Sequence, residues 1–566
     1  MSTSSSLPKW QLALVVGAPV AIGLSYMYYR NRKGSGTISD KRGNHKTRQD
    51  TNANKSRSID DDASSANNSQ VRIVIAGNNQ SCKSEMYYKN EGNKQFKMGN
   101  YKEAILQYEK AIEVCPKTRN KDMAIFYQNK AAAYEQLKDY ATVKQDCTIA
   151  LELYPEYTKA LIRRARALEK LGELEEALID VNLACLFESY SNPSSLLLAD
   201  KILEQLGKQH AEADMQNRKF VLPSKHFLRS HLASFTKDPI FSRIKHIDAE
   251  DTPQFFKRPL KALQNEDYES IKSICTDIVN SNEFSTLPSS KMEIVLLQAT
   301  FDILLGQYDS ALKAFSSILE SKDSSKDVKI NALIKRASLH TQLNCSEKAF
   351  SDFDEAIKID EECADIYLHR GQVYLLENRM DAAKRDFDKA ILYNPDFTAA
   401  FVKKYYTEYR LLIEEKHIHR IEEFVTDVER QCEKFPDHAE CDMLYAQIMS
   451  DIGNYDKAEA YLERALKKDP DNVAIYVHRG LIHLQKTSST DKTVEYIKKA
   501  IQLDAKCEFA YETLATIEVQ RGNLEDAIRL FDEALRLAHT SQQLVHLYSL
   551  KNAAKAQLTI KNRYMK

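Results

Sequence analysis

The sequence predicts an all-α protein: a superhelical solenoid of stacked helical hairpins in two blocks, preceded by one membrane-spanning helix. Three observations predict it. A 34-residue period recurs along most of the 566-residue chain. Gly (15) and Pro (13) are too scarce for a protein built on many tight sheet turns. Finally, residues 10–29 form the one long uncharged apolar run.

Residues 92–116, GNKQFKMGNYKEAILQYEKAIEVCP, define the repeat register. With Gly92 at position 8 of a unit, Phe96, Gly99 and Tyr101 fall at positions 12, 15 and 17. Ala104, Tyr108, Ala111 and Pro116 follow at 20, 24, 27 and 32. These are the offsets of a tetratricopeptide (TPR) unit. Small residues at 8 and 20 let helices A and B of one unit approach closely. Position 27 packs on the next unit, and the proline ends helix B.

The second unit carries Ala131, Tyr134, Tyr140, Cys147, Ala150 and Pro155, and the third Ala165, Leu168, Leu174, Ala177 and Ala184. Ala150 and Ala184 are 34 residues apart, whereas Ala111 and Ala150 are 39 apart, so the loop at 118–122 is an insertion. After a less regular stretch the pattern resumes. A weak unit (Tyr268, Ile271, Cys275) precedes units marked by Ala299 and Ala311, by Ala337 and Ala349, and by Gly371 and Ala383. Pro436 closes a unit with a longer helix pair; units around Ala446, Gly480 and Ala515 complete the array. The intervals Ala356 to Ala390, Pro436 to Pro470 and Ala500 to Ala534 are again 34. Three units thus precede residue 190 and about eight follow residue 250. Such stacking gives a concave face lined by A helices, suited to extended or helical peptide segments.

Composition narrows the function. The 80 basic and 81 acidic residues leave a net charge of -1, which argues against a nucleic-acid binder. Ten scattered cysteines contain no CxxC pair, so neither a disulfide framework nor a zinc site is implied; several fall at apolar helix positions as small hydrophobes, and reduced thiols are expected. No Walker loop, GxSxG, HExxH or strand-to-helix GxGxxG occurs. The stretch 190–250 between the blocks is too short for a catalytic core, so neither an enzyme nor a cofactor is expected.

Residues 10–29, WQLALVVGAPVAIGLSYMYY, span about 30 Å as a helix, enough for a bilayer core. Pro19 is tolerated within lipid. Trp10 at one end and Tyr26, Tyr28 and Tyr29 at the other suit the two interfaces. Only Lys9 precedes the run, whereas Arg30, Arg32, Lys33, Lys41, Arg42, Lys46 and Arg48 follow it, with the single acid Asp40. The positive side stays cytosolic, placing the bulk of the chain there. A cleaved secretory signal ending near Ala21-Ile22-Gly23, with an Asn67 sequon beyond, is the competing reading; the run continues past Gly23 into bulky aromatics and its leading segment is barely basic. The span does not name the membrane. Residues 30–80 are polar and read as a flexible tether; the apolar patch at 71–75 receives no assigned structure.

A polar cluster points into the first groove. Lys89 and Asn93 lie four apart on helix A of unit one, Asn129 holds a similar place on unit two, and Lys159 and Arg163 lie four apart on unit three. Three cations and two amides in one channel would bind a double carboxylate, such as a C-terminal aspartate. Arginine grips a carboxylate in a fork and the amides orient the peptide backbone. Taken singly, each of these residues could simply solvate a helix face. The set resembles the dicarboxylate clamp of TPR co-chaperones, which implies binding of the Glu-Glu-Val-Asp tails of Hsp70 and Hsp90.

The segments LPKWQLALVVGAPVAIG, FYQNKAAAYEQL, KALIRRARALEKL, LLLADKILEQLGK, YVHRGLIHLQ and FAYETLATIEVQRGN extend the resemblance along nearly the whole chain. They resemble the animal members of the family of seventy-kilodalton TPR receptors of the mitochondrial outer-membrane translocase. The resemblance implies a single-pass receptor of that membrane, with its N-terminus in the intermembrane space. It implies docking of Hsp70 and Hsp90 tails, acceptance of hydrophobic precursors such as carriers with internal signals, and contact with other translocase subunits. The organisation expected is a short leader (1–9), anchor (10–29), tether (30–80), clamp domain (81–215), connector (216–251) and precursor-binding domain (252–566). The connector at 247–257 looks shorter than in vertebrate members. A clamp co-chaperone of another membrane, such as the endoplasmic reticulum, is the alternative.

Weaker signals lie in the second block. Tyr367, His369 and Tyr476 are candidates for its concave lining, and Tyr405, Tyr406 and Tyr409 cluster; packing is the better reading of each. His417 and His419 read as a solvated helix end rather than a metal site.

Overall fold

The structure, a computed structural model, describes residues 84–244, 247, 254–281, 290–415 and 417–564. The predicted anchor, the tether and the patch at 71–75 lie outside the described residues. Within them no helix is long and apolar enough to cross a membrane.

Every regular element among the described residues is helical. Helices α1 (Glu85–Lys97) and α2 (Tyr101–Val114), α3 (Asn120–Gln136) and α4 (Tyr140–Leu153), and α5 (Thr158–Leu171) and α6 (Leu174–Phe187) form three hairpins. The long α7 (Pro193–Met215) and the short α8 (Lys225–Ala233) and α9 (Pro239–Ile244) follow. Eight further pairs come next. They are α10 (Gln254–Gln264) with α11 (Tyr268–Val279), α12 (Ser290–Leu304) with α13 (Tyr308–Glu320), and α14 (Lys326–Gln342) with α15 (Ser346–Ile359). Then come α16 (Ala364–Leu376) with α17 (Met380–Tyr393), α18 (Thr398–Glu414) with α19 (Ile421–Cys432), and α20 (Ala439–Asp451) with α21 (Tyr455–Lys468). The last pairs are α22 (Val473–Thr487) with α23 (Thr490–Leu503) and α24 (Glu508–Arg521) with α25 (Leu524–Leu537), before the terminal α26 (Ser541–Tyr564).

The repeat residues do what their sizes dictate. Gly92 faces the Tyr108 ring so closely that a Cβ there would lie 2.6 Å from it; Gly371 faces Phe387 at the same 2.6 Å. In these two units a methyl at position 8 would press on the position-24 ring, whereas Ala299, Ala337 and Ala515 stand at position 8 where the position-24 residue is Phe315, Phe353 or Phe531. Ala104, Ala111, Ala150, Ala165, Ala177 and Ala184 are fully buried. Each large buried aromatic such as Tyr108 or Phe387 contributes about 1.5–3 kcal/mol by leaving water. Within the third unit the chain turns sharply between its two helices: α5 stops at Gly172, whose φ of 81° suits a residue without a Cβ.

A second periodicity ties the two helices of a unit together. A cation just before the position-8 residue pairs with an aspartate 16 residues later. Lys130 meets Asp146 at 3.1 Å, Arg164 meets Asp180 at 2.6 Å, Arg336 meets Asp352 at 2.6 Å and Arg370 meets Asp386 at 2.8 Å. The four aspartates are buried, so each needs its partner.

The ends of the array meet. Helix α26 packs against α7, and its Ala556 and Ile560 belong to the apolar clusters of the first three units. A Cβ on Gly207 of α7 would lie 2.6 Å from the Val545 carbonyl, so the two backbones are in near contact. Arg218, just beyond α7, donates to the carbonyls of Leu535 and Ala538 at the end of α25. A ring nitrogen of His539 lies 2.7 Å from the Val221 carbonyl oxygen. Lys506 pairs with Glu269, and the Tyr308 hydroxyl donates to the His539 carbonyl at 3.5 Å. The eight-pair block therefore brings its first and last units side by side.

Candidate peptide-binding site

The five predicted clamp residues sit on A helices of the first three units, Lys89 and Asn93 on α1, Asn129 on α3, Lys159 and Arg163 on α5. The structure draws the two amides together. Asn93 Oδ1 accepts from the Tyr108 hydroxyl at 2.8 Å and from Asn129 Nδ2 at 3.4 Å. Burial pushes the Tyr108 phenol up to about 12, so it remains a donor throughout the physiological range. With its oxygen engaged twice, Asn93 keeps Nδ2 as the group it can donate to a ligand.

Lys159 and Arg163 share a cavity of about 210 Å³ with Gln128, Thr158, Ile162, Arg166, Glu188, Asn192, Ser194 and Ser195. Lys89, Asn93 and Asn129 are not part of its lining. Gln128 is the link between the two halves: it is next to Asn129 on α3, and its Oε1 accepts from the Tyr157 hydroxyl at 3.0 Å. Among the described residues neither Lys89 nor Lys159 forms an ion pair, so both ammonium groups remain available to an anion.

Arg163 is already engaged. Its Nε donates to Glu135 Oε2 at 2.8 Å and its Nη1 to the Gln128 carbonyl at 3.3 Å. Among the described residues its Nη2 has no partner, enough for a charge-assisted bond to a carboxylate. The neighbouring Arg164 points elsewhere, into its bidentate pair with Asp180.

Sequence reasoning missed Arg166 and the start of α7. Arg166 is exposed, lines the same cavity and has no partner among the described residues. The signal was present in the run Arg163-Arg164-Ala165-Arg166: residues three apart share a helix face, so Arg166 accompanies Arg163. Ser194 and Ser195 arrive from a different helix, which no local pattern reveals.

The candidates of the second block are mostly walls. Tyr367 is buried and its hydroxyl donates to the Glu361 carbonyl at 2.8 Å. His369 is buried against Phe235, and Tyr405 and Tyr409 belong to an apolar cluster. Tyr476 is less enclosed, its hydroxyl 3.5 Å from the Pro470 carbonyl. His417 pairs with Glu415 at 3.0 Å, and no group of three metal-competent side chains occurs among the described residues.

Comparison with known proteins agrees with the repeat register. Tetratricopeptide repeat profiles match residues 86–118, 364–397 and 429–478. A profile of anaphase-promoting complex subunit 5 matches residues 298–370 and 477–553. The crystal structure of yeast Tom70 is 24% identical, with a TM-score of 0.48, over 85% of this chain and 97% of that one. The mitochondrial import receptor subunit TOM70 of Homo sapiens is 37% identical over 99% of this chain and 93% of its own length. That of Rattus norvegicus is 36% identical over 100% of this chain and 93% of its own. With identity at that level along its full length, the chain belongs to the family of the mitochondrial import receptor subunit TOM70.

Proposed function

We propose that this protein is an import receptor of the mitochondrial outer membrane that works by binding polypeptides, not by catalysis. Residues 10–29 anchor it, with the N-terminus in the intermembrane space and the repeats in the cytosol. Units one to three (81–215) dock the acidic C-terminal tails of Hsp70 and Hsp90. The units of 252–566 accept hydrophobic precursors, including carriers with internal signals, which then pass to other subunits of the translocase.

One observation carries the docking role: Lys159, Arg163 and Arg166 converge on one cavity, and the A helices of the two preceding units carry the paired amides of Asn93 and Asn129. A chain end with two carboxylates needs that combination, cations for charge and amides for backbone. Full-length kinship to import receptors favours the mitochondrial reading over an endoplasmic-reticulum co-chaperone.

The test is a pull-down with the soluble chain (81–566), wild type against Lys159→Ala/Arg163→Ala. Wild type should retain Hsp70 and Hsp90 and the double variant should lose both while still capturing a hydrophobic carrier precursor. Equal chaperone recovery by the two proteins would contradict the clamp.

A further inference from the structure

Residues 225–244 form no repeat of their own. They lie across the A helices of three consecutive units, α16, α14 and α12, and touch each with polar groups. At α16, Asp365 accepts from the backbone N–H groups of Thr236 and Lys237 at 3.0 and 3.1 Å, and from the Thr236 hydroxyl at 2.7 Å. On the same helix His369 stacks on the Phe235 ring, centroids 4.4 Å apart and 24° from parallel. At α14, Asp238 Oδ2 lies 3.6 Å from Lys335 Nζ and accepts from Asn331 Nδ2 at 3.4 Å, while its Oδ1 caps the start of α9. At α12, Arg243 grips Glu293 with two bonds, one of them 2.9 Å. The segment therefore runs antiparallel to the order of the units, one contact set per unit. This is how an extended ligand sits on a repeat array.

The wall groups are unusual for a permanent interior. Lys335, Asp365, Glu293 and His369 are all buried, 2–6% exposed, and their polar partners come largely from this segment. The segment itself covers these groups, and its departure would open them to water without those partners. A replacement must therefore bring the same groups: an aromatic ring for His369 and Lys335, which lies 4.9 Å from the centre of the Phe235 ring; a carboxylate three residues on; and a cation five residues further. A cavity of about 670 Å³ lies beside α8, on the side away from α16, α14 and α12, between Pro223, His226 and Arg229 and the residues Tyr268, Asp471 and Asp504. It offers an incoming chain a foothold beside the segment.

We propose that residues 225–244 are a built-in competitor seated in the groove where units 252–566 receive a client. A client segment carrying an aromatic, an acid at +3 and a base at +8 displaces them. This rests on the reading that those units bind precursors, and it adds both a sequence preference and an intramolecular restraint.

The probe is a fluorescent synthetic peptide of residues 230–244, SHLASFTKDPIFSRI, offered to the full chain. It should bind a Phe235→Ala/Asp238→Asn variant, whose own strap is weakened, at least tenfold more tightly than wild type. A peptide with the same two replacements should bind neither. Equal affinity for variant and wild type, or binding to neither, overturns the proposal. If circular dichroism shows the variant unfolded, the wild type alone decides. With the peptide in excess, the amides of Thr236 and Lys237 should exchange with solvent at least fivefold faster; unchanged rates overturn the proposal. Precursor capture is measured separately, so a chain that exchanges its strap yet captures no precursor contradicts the import reading instead.

Discussion

Arg163 on α5 and Glu135 at the end of α3 form an ion pair of 2.8 Å, each side chain about one-fifth exposed. The arginine best placed to grip a ligand carboxylate is thus held by a carboxylate of the scaffold. The pair fixes the plane of the guanidinium and at the same time offsets part of its charge. Glu135→Gln keeps an acceptor for Nε and removes the competing charge. It should tighten binding of a peptide ending in Glu-Glu-Val-Asp by about threefold, within the ~0.2–1 kcal/mol range of partly exposed pairs. Fluorescence anisotropy reads this; weaker binding would mean that orientation outweighs charge.

The pairs spaced by 16 residues make a separate prediction about stability. Arg164 Nε and Nη2 both reach Asp180, which is 4% exposed and whose carboxyl burial pushes upward despite the arginine. Arg164→Met leaves that carboxylate buried without its fork. Thermal unfolding should show a loss of about 3 kcal/mol. Lys170→Met, on an exposed stretch of the same helix, should cost almost nothing.

Contact between α7 and α26 is tight enough for one methyl group to disturb it. At Gly207 a Cβ would meet Ser549 Oγ at 2.4 Å and the Val545 carbonyl at 2.6 Å. The serine can rotate away; the carbonyl cannot. Gly207→Ala should therefore destabilise the docked terminal helix by about 1–3 kcal/mol. Limited proteolysis should then cut within 541–564 sooner than in wild type.

Acid should weaken the protein through imidazoles in the second block and in the connector helix α8. Burial pushes His478 down to about 3, and His231 equally far, with Lys335 and His369 adding to the effect there. These rings stay neutral in the native protein, whereas in the unfolded chain they protonate near pH 6.5. Their contribution is complete above that value and is lost as pH falls below it, at up to about 1.4 kcal/mol per pH unit for each ring. Glu508 works the other way, because burial and Glu512 push its carboxyl up. The measurement is therefore a difference: His478→Leu should be less sensitive than wild type to acidification from pH 6.5 to 5. Parallel pH profiles would contradict the assignment.

Much of this architecture was legible because it is local and periodic. Ala111, Ala150 and Ala184 recur at one offset and are each fully buried, and Gly92 and Gly371 both face a position-24 ring. The groove pairing of Asn93 with Asn129 was legible for the same reason, since A helices repeat the same face. What escaped depends on contacts between residues far apart in sequence. Ile560 packs among residues of α3 to α6, and Arg218 caps α25 from more than 300 residues away, with no local pattern to announce either. The connector escaped because its helices answer the shape and charge of a groove rather than a period. His369 illustrates both outcomes: its inward position followed from the repeat, but its Phe235 partner did not. Glu135 was equally hidden, being one charged residue among 161 on helix faces.

The clamp reading stands or falls on the terminal carboxylate itself. Titrate the full-length protein with two peptides ending in Glu-Glu-Val-Asp, one a free acid and one C-terminally amidated. The amide should bind at least tenfold more weakly, a loss of about 1.4 kcal/mol, and the difference should vanish in Lys89→Ala/Lys159→Ala. Equal affinity for acid and amide in the wild-type protein would contradict the account.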